Sequence, residues 1–184
     1  MAWVYRGILV VLLTFCIISA GCISDDESPP VTDSGTSAGP GIMFQTVGNI
    51  TGQGVILAGV PRGTIDSITF TIGLAPGIHT VDLSTITIVY ADAVRTEILT
   101  PVDEYRGNPP QGYWGIIGTA NELGNPNLRM DFNEQFTIRI NPKAPVVPNQ
   151  VVTISVKPHD GKPLVFRRVT PSSIVENDNI LGIL

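Results

Sequence analysis

The sequence predicts an all-β domain, an antiparallel sandwich of two sheets, behind an apolar N-terminal segment and a flexible linker. The chain has 184 residues with 19 glycines and 15 prolines, and only 15% of its residues are charged. Several short segments rich in Ile, Val and Thr alternate apolar and polar residues, which is the period of a strand with one buried face. Turn residues separate these segments at short intervals, as in a sandwich. An open barrel stays an alternative, because alternation does not determine closure.

Residues 1–22 have the pattern of an export or anchoring segment. Arg6 and the amino terminus precede residues 8–20, which are all apolar or small. As a helix this run would cover about 20 Å, short of the roughly 30 Å hydrocarbon core of a membrane. The small residues before Cys22 resemble a lipobox, so we expect lipidation of Cys22. An uncleaved short anchor and plain secretion are the alternatives.

Residues 23–41 are acidic and rich in Ser, Pro and Gly, with one valine and no periodic apolar face. Such a composition is typical of a flexible tether that holds a domain away from a surface.

Residues 42–184 form the predicted β domain. Its strand segments are residues 54–60, 65–74, 84–90, 94–99, 113–118, 136–140, 151–156 and 164–169. The second and sixth segments each have one apolar face, which is expected in the core. These apolar faces consist of Ile68, Phe70, Ile72 and Leu74, and of Phe136, Ile138 and Ile140.

Three connections are predicted between these strands. Residues 52–54 are interpreted as a turn, and residues 103–111 as a long polar loop. The segments 136–140 and 151–156 are expected to pair with each other across a turn at residues 141–149.

Two adjacent arginines lie in the last strand, LVFRRV. Period-two alternation places Arg168 with Leu164 and Phe166 on one face and Arg167 with Val165 on the other. A basic ligand site would concentrate both on one side. We therefore favour a structural strand whose arginine stems cover apolar neighbours, with either arginine available for a carboxylate at a subunit contact.

The composition excludes several functional classes. Acidic residues outnumber basic residues 16 to 11, which argues against a nucleic-acid partner. Both cysteines, Cys16 and Cys22, lie near the N-terminus, and the histidines, His79 and His159, are 80 positions apart. The sequence contains no zinc-protease, nucleophile-elbow, P-loop or dinucleotide motif. We expect no enzymatic activity, no cofactor, no metal and no small-molecule substrate.

Two groups of motifs resemble archaellin, the archaeal flagellin. The C-terminal group is NEQFTI at residues 133–138, Lys157-Pro158, GKPL at 161–164 and Arg168-x-Thr-Pro171. The central group is DSITFTIGL at 66–74, followed by APG at 75–77 and VDLS at 81–84. In their order and spacing these motifs span about residues 52–174.

The resemblance implies an immunoglobulin-like outer β-sandwich of a filament subunit, displayed on the cell exterior and without catalysis. Archaellins are often N-glycosylated, and the sequon Asn49-Ile50-Thr51 offers Asn49 as an acceptor. Their type III signal peptides are cut after a basic residue and a glycine, and Arg6-Gly7 fits that pattern. The chain departs from archaellins where its apolar run ends at Cys22 and a linker follows, because archaellins carry a long apolar helix directly before the sandwich.

Two functions follow from these observations. The first is a subunit or accessory protein of the archaellum, in contact with like subunits or other archaellum and envelope proteins. The second is a lipid-anchored envelope module that binds a surface-layer protein or glycan. Both place the protein at the cell surface and attach it to the membrane through its N-terminal segment. Because aromatic and arginine residues are favoured at interfaces, the candidate contact residues are Tyr105, Tyr113, Trp114, Arg167 and Arg168.

Overall fold

The structure is a computed structural model that describes residues 41–58, 62–122 and 124–184. The predicted N-terminal segment with Cys22, and the linker up to residue 40, lie outside these residues. The described strands are β1 (Phe44–Val55), β2 (Thr64–Leu74), β3 (Thr80–Asp82), β4 (Thr87–Ala91), β5 (Thr96–Arg106), β6 (Tyr113–Ala120), β7 (Arg129–Asp131), β8 (Gln135–Asn141), β9 (Val151–Lys157), β10 (Leu164–Val169), β11 (Asn177–Ile180) and β12 (Gly182–Ile183). A 3-10 helix at Leu83–Thr85 lies between β3 and β4. Within the described ranges no helix is long and apolar enough to cross a membrane.

Ten of the described strands follow one another in a single hydrogen-bonded order, β11-β1-β2-β8-β6-β5-β4-β9-β10-β12, while β3 and β7 form a separate pair. The sheet folds over at β5, because the start of β5 pairs with β4 and its later part pairs with β6. We call β11, β1, β2, β8 and β6 the first layer, and β4, β9, β10 and β12 the second layer. Rings from the two layers meet in the core, where Phe70 of β2 lies 5.1 Å from Phe166 of β10. The predicted all-β sandwich is confirmed.

The two free edges of the folded sheet are joined at both ends. Near the C-terminus, Ile180 lies opposite Thr51 of β1 and Ile183 lies opposite Arg168 of β10, with the buried Leu181 between them. At the other end, Ile42 forms a bridge with Lys162 of the β9–β10 turn. The molecule is therefore a sandwich made from one sheet, and its open side is tied by two chain segments.

The core occupies the space between the layers and follows the predicted alternation. The predicted inward faces of β2 and β8 are buried, each of their seven apolar side chains being at most 8% exposed. Earlier in β2 the alternation is shifted by one residue, so that the odd-numbered Ile65 and Ser67 are buried there. Gln53 of β1 pairs with Ser67 and the next residue, Gly54, pairs with Ile65, so β2 carries one extra residue between them; this bulge accounts for the change of face.

The expected pairing of residues 136–140 with residues 151–156 is wrong. The structure places β8 between β2 and β6, and β9 between β4 and β10. The connection between β8 and β9 crosses from one layer to the other, and Val146 within it exchanges backbone hydrogen bonds with Ile65 at 2.8 Å. Three prolines in this connection cannot donate to a hairpin ladder, which favours a crossover instead. They are Pro142, Pro145 and Pro148.

Two predicted connections are also corrected. Residues 52–54 lie within β1, and the first four residues of the predicted loop at 103–111 belong to β5. In addition, β5 pairs with β6 in parallel, whereas the other described pairs of named strands are antiparallel. For β6 to run parallel to β5, the chain must return from the end of β5 to a point beside Thr100, and residues 107–112 make this return.

Candidate interaction surface

A strained bulge in β5 presents two carboxylates at the surface. Pro101 lies opposite Trp114 and Arg106 lies opposite Ile116, so four residues of β5 face a single residue of β6. Within this bulge Glu104 has a φ of 56° and Tyr105 a φ of 61°. Left-handed backbone costs roughly 1–3 kcal/mol for such residues. The bulge exposes the side chains of residues 103 and 104, which we call the acidic tip.

The aromatic residues at the ends of this segment are mostly internal. Trp114 is fully buried, and its Nε1 has no hydrogen-bond partner within the described residues. Tyr105 is half-buried, with its ring 5.8 Å from that of Trp114 and its hydroxyl donating to the carbonyl of Ser84 at 3.2 Å. Tyr113 is 39% exposed. Trp114 thus packs in the core, and Tyr105 and Tyr113 are the aromatic residues of the set that reach the surface.

The loop after the acidic tip folds back onto the outer face of the first layer. The amide of Gly107 donates to the carbonyl of Ile116 at 2.9 Å, and the amide of Gly112 donates to the carbonyl of Asn141 at 2.7 Å. The side chain of Asn141 donates to the carbonyl of Pro109 at 3.1 Å. A Cβ atom on Gly115 would lie 2.4 Å from the carbonyl oxygen of Gly107, so this close approach requires glycine.

Arg139 of β8 is held at the edge of this loop. Its Nε donates to the Thr69 hydroxyl at 3.1 Å, and its Nη1 donates to Oδ1 of Asn108 at 2.7 Å. An open groove of about 530 Å³ lies beside it, with walls that include Gly107, Gly118 and Thr119. We call this the Arg139 groove.

A second arginine in the groove is already neutralised. Nη2 of Arg106 lies 3.0 Å from Oε1 of Glu122 and donates to the carbonyl of Asn127 at 2.7 Å. The amide of Asn127, the hydroxyl of Thr119 and the charge of Arg106 together hold the pKa of Glu122 below its ordinary value, against a smaller opposing effect of burial. Among the described residues that line the groove, Arg139 is therefore the cation whose charge no carboxylate compensates.

The paired arginines of β10 lie on opposite faces, as predicted. Arg168 is 7% exposed, with its guanidinium 5.8 Å from the centre of the Phe166 ring and its Nη1 donating to the carbonyl of Arg167. Arg167 and Val165 are exposed on the outer face of the second layer. Burial removes Arg168 from the accessible surface, because its stem and head are covered by the core, and leaves Arg167 as the accessible member of the pair.

Asn49 is exposed. It follows Gly48, whose φ is 71°, in an irregular part of β1 where pairing with β2 is interrupted between Val47 and Thr51. The predicted sequon thus begins in an exposed, irregular part of β1.

A buried charge cluster closes the turn between β4 and β5. The hydroxyl of Tyr90 donates to Asp92 at 2.9 Å, and Nε of Arg95 lies 2.8 Å from the same carboxylate oxygen. Burial opposes ionisation of Asp92, but hydrogen bonds from the Val94 amide and the Tyr90 hydroxyl, with the charge of Arg95, outweigh it, so the pKa of Asp92 lies below its ordinary value. Burial also raises the pKa of Tyr90. Because Arg95 also donates to the carbonyl of Ala144 at 2.7 Å, the cluster fastens this turn to the crossover connection.

The charged and aromatic side chains on the described surface are groups that can bind another molecule through hydrogen bonds, ion pairs and ring contacts. Within residues 41–58, 62–122 and 124–184 no group of three or more His, Cys, Asp or Glu side chains could hold a metal ion.

Comparison with solved structures identifies the fold. The chain is similar to the crystal structure of archaeal flagellin FlaB1 from Methanocaldococcus jannaschii, with a TM-score of 0.56 and 15% identity, over 76% of this chain and 96% of that chain. The described domain has the archaellin fold. The archaellin-like domain is also similar to the archaeal flagellum of Methanospirillum hungatei strain JF1, with a TM-score of 0.52 and 16% identity, over 75% of this chain and 70% of that chain. No protein-family model matches the sequence, and no curated protein matches it.

Proposed function

We propose that this chain is a non-enzymatic structural protein of the archaellum, either a filament subunit or an accessory protein, displayed on the outer side of the cell. The observation that carries the proposal is the archaellin fold, which extends over nearly the whole chain of the Methanocaldococcus flagellin. The surface of the domain is consistent with it, because the exposed Tyr113, Arg167 and acidic tip are groups that suit contact with other proteins. Its partners are then copies of the same chain or other archaellum and envelope proteins.

A second candidate is a lipid-anchored envelope module that binds a surface-layer protein or glycan. Two sequence features favour it: Cys22 follows small residues, and a linker at 23–41 separates the apolar segment from the β domain. In archaellins the long apolar helix leads directly into the sandwich, and a linker interrupts that continuity. Anchoring through lipid on Cys22 would hold such a module at the membrane.

Intact-mass measurement of the protein from its native cells separates the two candidates. Cleavage after Gly7 without added lipid, together with recovery in sheared filaments, is the result expected for a filament subunit. Cleavage after Gly21 with added lipid, and recovery only in membranes, would refute the subunit and support the anchored module.

We also propose that Asn49 carries an N-linked glycan. The exposure of Asn49 and the irregular backbone around it make the amide accessible to a transferase. The expected result is a glycan mass on the peptide that contains Asn49, lost in Asn49→Gln and kept in Asn125→Gln, a matched exposed asparagine outside a sequon. An unmodified native peptide would refute the assignment.

A further inference from the structure

The outer face of the first layer carries a cation with no carboxylate partner within the described residues. The ion pairs among the described residues involve Arg95, Arg106 and Arg129 instead. Arg139 is fixed by two neutral acceptors, and its Nη2 makes no hydrogen bond to any described residue. An arginine held in place with one edge free is suited to binding a carboxylate with two parallel hydrogen bonds.

The position of Arg139 depends on a rigid support. Asn108, which accepts from Nη1, belongs to the loop that Gly107, Pro109 and Gly112 attach to β6 and β8. A guanidinium restrained in advance loses less side-chain freedom when it binds, so more of the interaction energy is retained.

The acidic tip has the complementary charge and also has no partner within the described residues. Asp103 and Glu104 are exposed and take part in no ion pair or side-chain hydrogen bond there. The positive φ of Glu104 sets the direction in which the tip projects. Strained backbone of this kind persists where the surrounding structure enforces it and is concentrated at functional sites.

We propose that the Arg139 groove of one copy of this chain binds the acidic tip of a second copy. Neither feature forms an ion pair with the described residues of its own copy, and the two are opposite in charge and carried by the same domain. In the head-to-tail arrangement that we propose, each groove takes the tip of the next copy, so the contact is heterologous and can repeat into a ring or a filament. This inference rests on the proposed function as a self-assembling subunit and names the contact that it uses.

Chemical cross-linking of the full-length chain in its native membrane or filament fraction tests the contact directly. In Arg139→Lys the positive charge is kept and an amine is introduced, which a carbodiimide condenses with a nearby carboxylate. Mixed ¹⁴N and ¹⁵N copies are expected to give a cross-link of mixed isotope content between position 139 and residue 103 or 104. Arg62→Lys, at another exposed arginine, is the matched control and is expected to give none. Cross-links confined to one isotope, or to other carboxylates, would overturn the proposal.

Charge reversal provides a second test that a folding defect cannot imitate. Arg139→Glu alone, and Asp103→Lys with Glu104→Lys, are each expected to weaken self-association roughly fivefold or more, because like charges then meet. A mixture of the two variants is expected to regain association, since a reversed groove meets a reversed tip. Arg62→Gln and Glu176→Gln, at exposed charges elsewhere, are expected to behave as wild type.

The outcomes separate this inference from the function on which it rests. Wild-type chains that assemble, with reversed variants that assemble equally well, would overturn the groove-and-tip contact and leave the subunit function standing. Wild-type chains that do not self-associate would refute both the contact and the filament-subunit form of the proposed function. Loss of binding to another acidic protein or to an acidic polysaccharide in Arg139→Glu, with self-association unchanged, would overturn the second copy as the occupant.

Discussion

Gly54 of β1 determines how closely the C-terminal segment approaches the first layer, and Gly52 leaves room for the side chain of Ile65 in β2. A Cβ atom on Gly54 would lie 1.9 Å from the carbonyl oxygen of Val175, and one on Gly52 would lie 2.6 Å from Cδ1 of Ile65. The buried Asn179 uses the same close approach, since its side chain donates to the carbonyls of Gly52 and Val175. The two glycines are therefore required for packing.

Gly54→Ala is expected to destabilise the domain by about 2–3 kcal/mol, because the added methyl group meets backbone that must move. The free energy of unfolding from urea titration measures the effect. Gly73→Ala is the matched control in the adjacent β2, where a Cβ atom would make an ordinary contact of 3.6 Å with Val47. The close-packing explanation fails if the two variants lose the same stability.

Asp92 makes the stability of the domain sensitive to acid. Its folded pKa lies below the ordinary value, so its contribution is present at pH values above about 3.9, the ordinary pKa of an aspartate, and is lost as the pH falls through the folded pKa. Asp92→Asn is expected to cost about 1–3 kcal/mol at pH 7, since Tyr90 and Arg95 lose their charged partner.

Unfolding titrations between pH 7 and pH 2 measure this effect. The variant should lose less stability than wild type over the acid limb, whereas Asp160→Asn, at an exposed turn residue, should follow wild type. Parallel stability curves for wild type and Asp92→Asn would contradict the assignment.

At the scale of elements, the segment that contains β11 and β12 joins the two layers. It pairs with β1 on one side of Leu181 and with β10 on the other, and the amide of Leu181 donates to the carbonyl of Ile50 at 3.0 Å. These strands are short, and their sequence NDNILGI shows little alternation. The sequence therefore did not predict them, and their pairing became evident only when both partner strands were in place.

Leu181→Ala is expected to cost about 2–4 kcal/mol, because Leu181 is 3% exposed and its truncation leaves a cavity between the layers. Ile180→Ala, one residue earlier and 64% exposed, is the matched control and should change stability by less than about 1 kcal/mol. Thermal unfolding followed by circular dichroism measures both. Equal losses would show that the segment does not tie the layers through Leu181.

At the scale of the whole molecule, distant parts of the chain must meet before the sandwich is complete. The start of the domain pairs near Lys162, and β1 pairs with β11 more than a hundred residues away. The crossover connection between β8 and β9 adds another long-range step. Such non-local pairing makes folding slow, because loops close before their contacts stabilise them.

The main refolding phase is therefore expected in the range of roughly milliseconds to seconds. Stopped-flow fluorescence can follow it, since the fully buried Trp114 reports on core formation. Trp114→Phe serves as the control that assigns the signal to this residue. Refolding in microseconds would contradict the dominance of long-range pairing.

The sequence by itself determined the all-β class, the inward faces of β2 and β8 and the opposite faces of Arg167 and Arg168. Each of these depends on period-two alternation, which is a local property of a strand. The motifs at residues 66–84 and 133–171 also indicated the archaellin fold before the structure was known.

Only the tertiary structure decided which strands are neighbours, that β5 bends between the layers, and that neither Arg139 nor the acidic tip forms an ion pair with another described residue. Strand order depends on where long connections lead, and burial of Trp114 and Arg168 depends on what the opposite layer places against them. These are contacts between residues far apart in the chain. Alternation along one strand carries no information about its partner, so no local pattern could have supplied them.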